Sequence, residues 1–162
     1  MEGSLTHIRT LEQRLQQLEA LEQIRQLKHR YLNACDLKQV EVIRECFAPG
    51  PVVIDYGDLG VFHDRDDFIE LYTRLACHPQ VIDLHHGSNP ELELESLSEA
   101  RGRWALFYLN LDPQTGVTRQ LGGFYEDRYR LTEAGWRIVE TCSRIHSSVE
   151  GVSRSVGGGQ GG

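Results

Sequence analysis

The segment ARGRWALFYLNLDPQTG, residues 100–116, decides the fold. Trp104, Leu106, Tyr108 and Asn110 occupy alternate positions, so they share one face of an extended strand. Pro113–Gln114–Thr115–Gly116 then reads as a turn, and so does Thr132–Glu133–Ala134–Gly135. The two turns divide the second half of the chain into strands predicted over about 100–112, 117–131 and 135–147. Upstream, VIDLHHGSNPELELES (81–96) reads as a strand, a turn and a second strand, at roughly 80–87 and 90–96.

The first half of the chain has a different period. Leu11, Leu15, Leu18, Leu21, Ile24, Leu27 and Tyr31 recur at steps of three and four, which predicts a helix ending near Cys35. Successive steps of three make the stripe drift, so residues 1–18 read as an N-terminal helical arm and the helix proper as starting near Glu19. Asp36–Gln39 is a break, and Val40, Ile43 and Phe47 mark a short second helix that Pro49 and Pro51 end. A strand over Val52–Gly57, a brief one at Val61–His63, and a third helix capped by Asp64 or Asp66 follow. Helices first and an antiparallel meander afterwards make the class α+β. A curved sheet wrapped around the N-terminal helices forms a cone whose mouth can hold a small ligand. Residues 19–147 read as one domain and 148–162 as a flexible glycine-rich tail.

Composition narrows the function classes. The net charge of −7 argues against a nucleic-acid partner, because phosphate binding needs a basic face. No apolar run is long enough to span a membrane. Four cysteines with no CxxC pair fit a reduced, cytoplasmic protein better than a disulfide or zinc scaffold. Nucleotide-binding glycine motifs, GxSxG and HExxH are all missing. His63, His78, His85 and His86 lack metal-ligand spacing, so no metal is expected. Cys35 has no identifiable activating partner and reads as an inert buried thiol.

Two groups remain as candidates for chemistry. Tyr31 and Asp36 are five residues apart, about 140° around an ideal helix, so they converge only if the helix ends by Asp36 and the carboxylate folds back. A carboxylate at a helix C-terminus opposes the dipole, so another group should hold it. The bland reading is a core tyrosine and a helix-end aspartate. His85 and His86 must point to opposite faces of a strand. His86 shares the more apolar face with Ile82 and Leu84, whereas His85 shares a mixed face with Val81 and Asp83. Parity leaves the inward histidine open.

EALEQIRQLKHRYLNACDLK, FAPGPVVIDYG, LHHGSNPELEL and GGFYEDRYRLTEAGWRIVE, in that order, resemble the SnoaL-like part of the nuclear-transport-factor-2-like superfamily. The similarity covers about residues 19–147 and is nearest to the branch with scytalone dehydratase, bile acid 7α-dehydratase and hexachlorocyclohexane dehydrochlorinase. It implies a cone-shaped, cystatin-like α+β barrel, a trimer or dimer, and a hydrophobic small-molecule substrate. The family's His-x3-Asn falls on His85 and Asn89, which makes His85 the inward residue by analogy. The resemblance further implies a cofactor-independent lyase of the dehydratase type, or an isomerase. His85 would be the general base, Asp36 its orienting partner, and Tyr31 a donor to the developing oxyanion. Tyr56, Trp104, Tyr108, Asn110 and Phe124 become candidate substrate contacts. Where related dehydratases carry a further acid or histidine on the central strand, Tyr108 and Asn110 stand here. The competing class is a non-catalytic binding or assembly module of the same fold.

Overall fold

The computed structural model describes residues 2–152. Helix α1 (Glu2–Asp36) leads into α2 (Val40–Cys46), then β1 (Val53–Asp55), a 3-10 turn at Gly57–Leu59, β2 (Val61–Phe62) and α3 (Arg65–Ala76). The remainder is β3 (Ile82–Leu94), β4 (Glu99–Leu111), β5 (Val117–Thr132) and β6 (Gly135–Val152). The class is α+β, as the sequence implied. The six strands form one curved, unclosed sheet in the order β2-β1-β6-β5-β4-β3.

The sheet is mixed, not wholly antiparallel. β1 comes from a separate short hairpin and enters alongside β6 in parallel, with Ile54 opposite Thr141. The expected strands at 80–87 and 90–96 are one strand. Asn89 takes a left-handed conformation (φ 49°), and the register with β4 shifts between Ser88 and Glu91. A β-bulge at that point lets the strand pass Pro90, which has no N–H, and β3 lies at the sheet edge where such an interruption is tolerated. β6 continues to Val152, past the expected end at 147. Of the tail, residues 153–162 lie outside the described ones.

α1 is a single unbroken helix, so the proposed arm and the domain helix are one element. Its two halves differ in surroundings. Leu11, Leu15 and Leu18 are exposed, whereas Ile24, Leu27, Lys28, Tyr31, Leu32 and Cys35 form a buried stripe. That stripe lies on the concave face of the sheet, against Trp104, Leu106, Tyr125, Tyr129 and Ile138. Gly87 of β3 leaves room for α1, since a Cβ there would stand 2.7 Å from Leu32 Cδ1. Asp64 caps α3, accepting a hydrogen bond from the Asp66 amide at 2.6 Å.

Candidate active site

α1 ends at Asp36, which frees the aspartate side chain to turn back toward the sheet. The chain leaves by a Schellman turn: the Gln39 amide bonds the Ala34 carbonyl at 2.9 Å and Lys38 takes φ 57°. This turn sets Asp36 beside the open edge of β3. The backbone amide of His85, unused by β4, donates to both Asp36 oxygens at 3.0 Å. The ring Nδ1 lies 2.6 Å from Asp36 Oδ1. A carboxylate only accepts, so Nδ1 carries the hydrogen and Nε2 of the neutral ring keeps its lone pair. The missing partner of a helix-end carboxylate is therefore a strand-edge amide and an imidazole.

The mixed face of β3 is the inward one. Asp83 and His85 point into the cone, and His86 is exposed beside the outward Ile82 and Leu84. The apolar face looked inward by hydrophobicity alone, yet Ile82 is 50% exposed. Asn89, at the bulge, is exposed. His85 also lines a cleft of about 260 Å³ between α1 and β3, with His29, Leu32, Asn33, His86 and Gly87.

The candidate residues separate into two inner groups and one outlier. Tyr108 stands directly across from His85, with ring centroids 4.6 Å apart. Its hydroxyl donates to Asp83 Oδ1 at 2.6 Å, and Asn110 Nδ2 donates to the same oxygen at 2.9 Å. Lys38 pairs with Asp83 Oδ2. Burial pushes the Asp83 carboxyl upward, but the bonds from Lys38, Tyr108 and Asn110 hold it below its ordinary value of 3.8. Burial, and then Asp83, push the Tyr108 phenol upward.

Deeper in, Tyr31 and Tyr56 share a hydrogen bond of 2.5 Å, and Tyr56 meets the Tyr125 ring at 6.3 Å. Burial raises both phenols, so each keeps its proton at neutral pH and one remains able to donate to a third group. Trp104 is fully buried, and its indole N–H is taken by Tyr129 at 2.9 Å, which makes it a floor of the core. Phe124 departs from its expected place on the pocket wall. It lies opposite Ala105 on the outer face, against Arg103 and His146, because Tyr125 holds the inward position next to it. Cys35 is buried and its thiol is pushed up to about 12, so it is protonated at neutral pH. Among the described residues, no three His, Cys, Asp or Glu side chains gather as a metal site would need. No described helix is long and apolar enough to cross a membrane.

Asp83 is the residue that sequence reasoning passed over. Its signal was present: it sits two positions before His85, hence on the same face. A pH experiment isolates it. A carboxyl whose folded value is depressed contributes stability above its unfolded value, and that contribution disappears as pH falls through the folded value. Asp83→Asn is therefore less stable than the parent at pH 7, and the gap narrows below about pH 3.8. Denaturant melts across that range measure it. A gap that stays constant with pH would exclude the charge as its source.

The SnoaL-like domain family matches residues 16–141 of the chain. The chain belongs to the SnoaL-like family. Solved structures agree with this fold. A candidate scytalone dehydratase from Novosphingobium aromaticivorans superposes with a TM-score of 0.76 at 17% identity, covering 86% of this chain and 92% of that one. A type 2 hexachlorocyclohexane dehydrochlorinase superposes at 0.77 with 15% identity, over 86% and 94% of the two chains. The type 3 enzyme from Novosphingobium barchaimii gives 0.74 at 16%, over 84% and 92%. SnoaL-like chains thus share the cone, and the residues inside it determine the chemistry.

Proposed function

We propose that this SnoaL-like protein is a cofactor-independent lyase of the dehydratase type, or an isomerase, acting on a hydrophobic small molecule such as a polyketide, steroid or aromatic metabolite. The observation that carries the reading is the 2.6 Å contact between Asp36 and His85 Nδ1. It directs the basic lone pair of the imidazole to Nε2. His85 Nε2 takes a proton from a carbon next to an activating carbonyl. The C–H electron pair forms a double bond, and the group on the adjacent carbon leaves with its own electron pair. Asp36 accepts from the imidazolium that results, which is the base-and-orienter half of a hydrolase triad. Tyr31 with Tyr56 donates a hydrogen bond to the oxygen that gains charge, each phenol keeping its proton. Return of the proton at another carbon, with no departure, gives isomerisation. The names of the structural neighbours, a dehydratase and dehydrochlorinases, denote eliminations, which supports the branch assignment.

The same reading includes a homo-oligomer, a trimer or dimer, and a cytoplasmic setting. Ile82, Leu84 and Phe107 form an exposed apolar band on the outer face of β3 and β4, suited to a second copy. All four cysteines are free, as suits a reducing compartment. The test is a screen of β-hydroxy and β-halo carbonyl compounds in ¹⁸O-labelled water. An unsaturated product without label supports elimination. Label in the product indicates hydrolysis, and tight binding without turnover makes the cone a binding module.

A further inference from the structure

Two rungs join the end of α1 to the inner face of β3. Asp36 holds His85, and two residues further on Lys38 holds Asp83, two residues before His85. The spacing of two on each side places both rungs on one face of the site. Only the first rung bears directly on the imidazole.

The second rung reaches it through Tyr108. Asp83 accepts Lys38 on one oxygen and Tyr108 and Asn110 on the other, and its side chain is 5% exposed. The Tyr108 hydroxyl proton is thus committed to Asp83. Tyr108 offers a substrate no donated hydrogen bond in this arrangement, only its ring and an acceptor oxygen. What remains for it is geometry, since its ring lies across His85 at 4.6 Å and 47°. Lys38 adds a backbone clue. Its φ of 57° is the left-handed region, where glycine is the usual occupant of a Schellman turn and residues with a Cβ are disfavoured. Glycine would relieve the backbone but would supply no ammonium to Asp83.

We propose that the Lys38–Asp83 ion pair is a positioning element that holds the Tyr108 ring against the imidazole of His85. The proposal rests on His85 as the base only for its effect on rate; its effect on ring geometry is independent of any activity. Lys38 and Asp83 act through Tyr108, which touches the imidazole, and not on the substrate.

Lys38→Gly in the full chain is the decisive variant, because it keeps the left-handed backbone conformation and removes the ammonium together with its aliphatic stem, and Lys38→Arg restores the charge. The His85 Cε1–H and Cδ2–H resonances, which feel the Tyr108 ring, are compared in the parent, Lys38→Gly, Lys38→Arg and Tyr108→Leu. The Lys38→Gly resonances move toward those of Tyr108→Leu, and Lys38→Arg stays near the parent, with every protein compared at a temperature below its own melting transition. On a substrate found by the elimination screen, Lys38→Gly lowers kcat about tenfold, short of the roughly hundredfold that a 1 Å misplacement can cost. KM changes less than about twofold, because ground-state binding is not the interaction removed. Parent-like His85 resonances in Lys38→Gly, with displaced ones in Tyr108→Leu, overturn the proposal. Displaced resonances in a protein that turns over nothing uphold the positioning and remove the role of His85 as base.

Discussion

Asp36→Asn lowers the rate of elimination by about two to four orders of magnitude, as His85→Ala does, because both remove the same general base. The reason lies in how the carboxylate is used. It accepts from the His85 backbone amide and from Nδ1 together. An amide in its place has one accepting oxygen and one donating nitrogen. If the oxygen keeps the backbone amide, the NH₂ faces the imidazole and needs a lone pair at Nδ1. The ring must then carry its hydrogen on Nε2, so the lone pair leaves the nitrogen meant to act as base. Nitrogen-15 spectra of the ring at neutral pH test this directly. The parent shows the Nδ1–H form, and Asp36→Asn shifts to the Nε2–H form with the fold intact. An unaltered tautomer together with an undiminished rate would remove Asp36 from the mechanism.

The sequence revealed the fold better than the site, for identifiable reasons. Alternation at Trp104, Leu106, Tyr108 and Asn110 was legible because burial on one face imposes a period of two. The bulge at Ser88–Glu91 reads as a turn in sequence because Gly87, Ser88, Asn89 and Pro90 are turn formers, whereas an edge strand absorbs them by local slippage. The inward histidine was not legible from hydrophobicity. The interior of this cone is polar near its mouth, with Asp83, Tyr108 and Asn110 bonded together, while Ile82 and Leu84 lie outside. Phe124 failed as a wall residue for the related reason that an outward aromatic can rest on Arg103 and His146. The resemblance alone puts Tyr31 and Asp36 in one site; the helix rotation between them sends Tyr31 to Tyr56 in the core and Asp36 to the edge of β3.

Lys28→Met costs about 3–5 kcal/mol, the usual consequence of leaving a buried ionic partner alone. On a chain of this size that is a fall of roughly 10 °C in melting temperature. Lys28 occupies the apolar stripe of α1 with no exposed surface, and its ammonium lies 2.7 Å from the equally buried Asp127. Burial lowers the lysine from its ordinary value, and the carboxylate opposes that shift. Asp127 also accepts from Tyr129 at 2.6 Å and Thr141 at 2.7 Å, so both of its oxygens are engaged. Removing the ammonium leaves a charge with two hydroxyl donors and no counter-ion. Removing the carboxylate charge with Asp127→Asn strands the ammonium, whose remaining close neighbour is the Tyr125 ring at 3.7 Å. The double variant Lys28→Met, Asp127→Asn contains no buried charge, and its asparagine oxygen accepts from one of Thr141 and Tyr129 while its NH₂ donates to the hydroxyl oxygen of the other. It is therefore more stable than either single variant, the non-additivity expected of groups in direct contact. Denaturant melts of the four proteins measure that coupling, and additive losses would mean that the two groups act independently. The pair ties α1 to β5 two turns before Asp36, so its loss loosens the helix that carries the carboxylate to His85. A Lys28→Met protein that folds at low temperature consequently shows a weakened Asp36–His85 contact together with its lower melting point, and the double variant restores both.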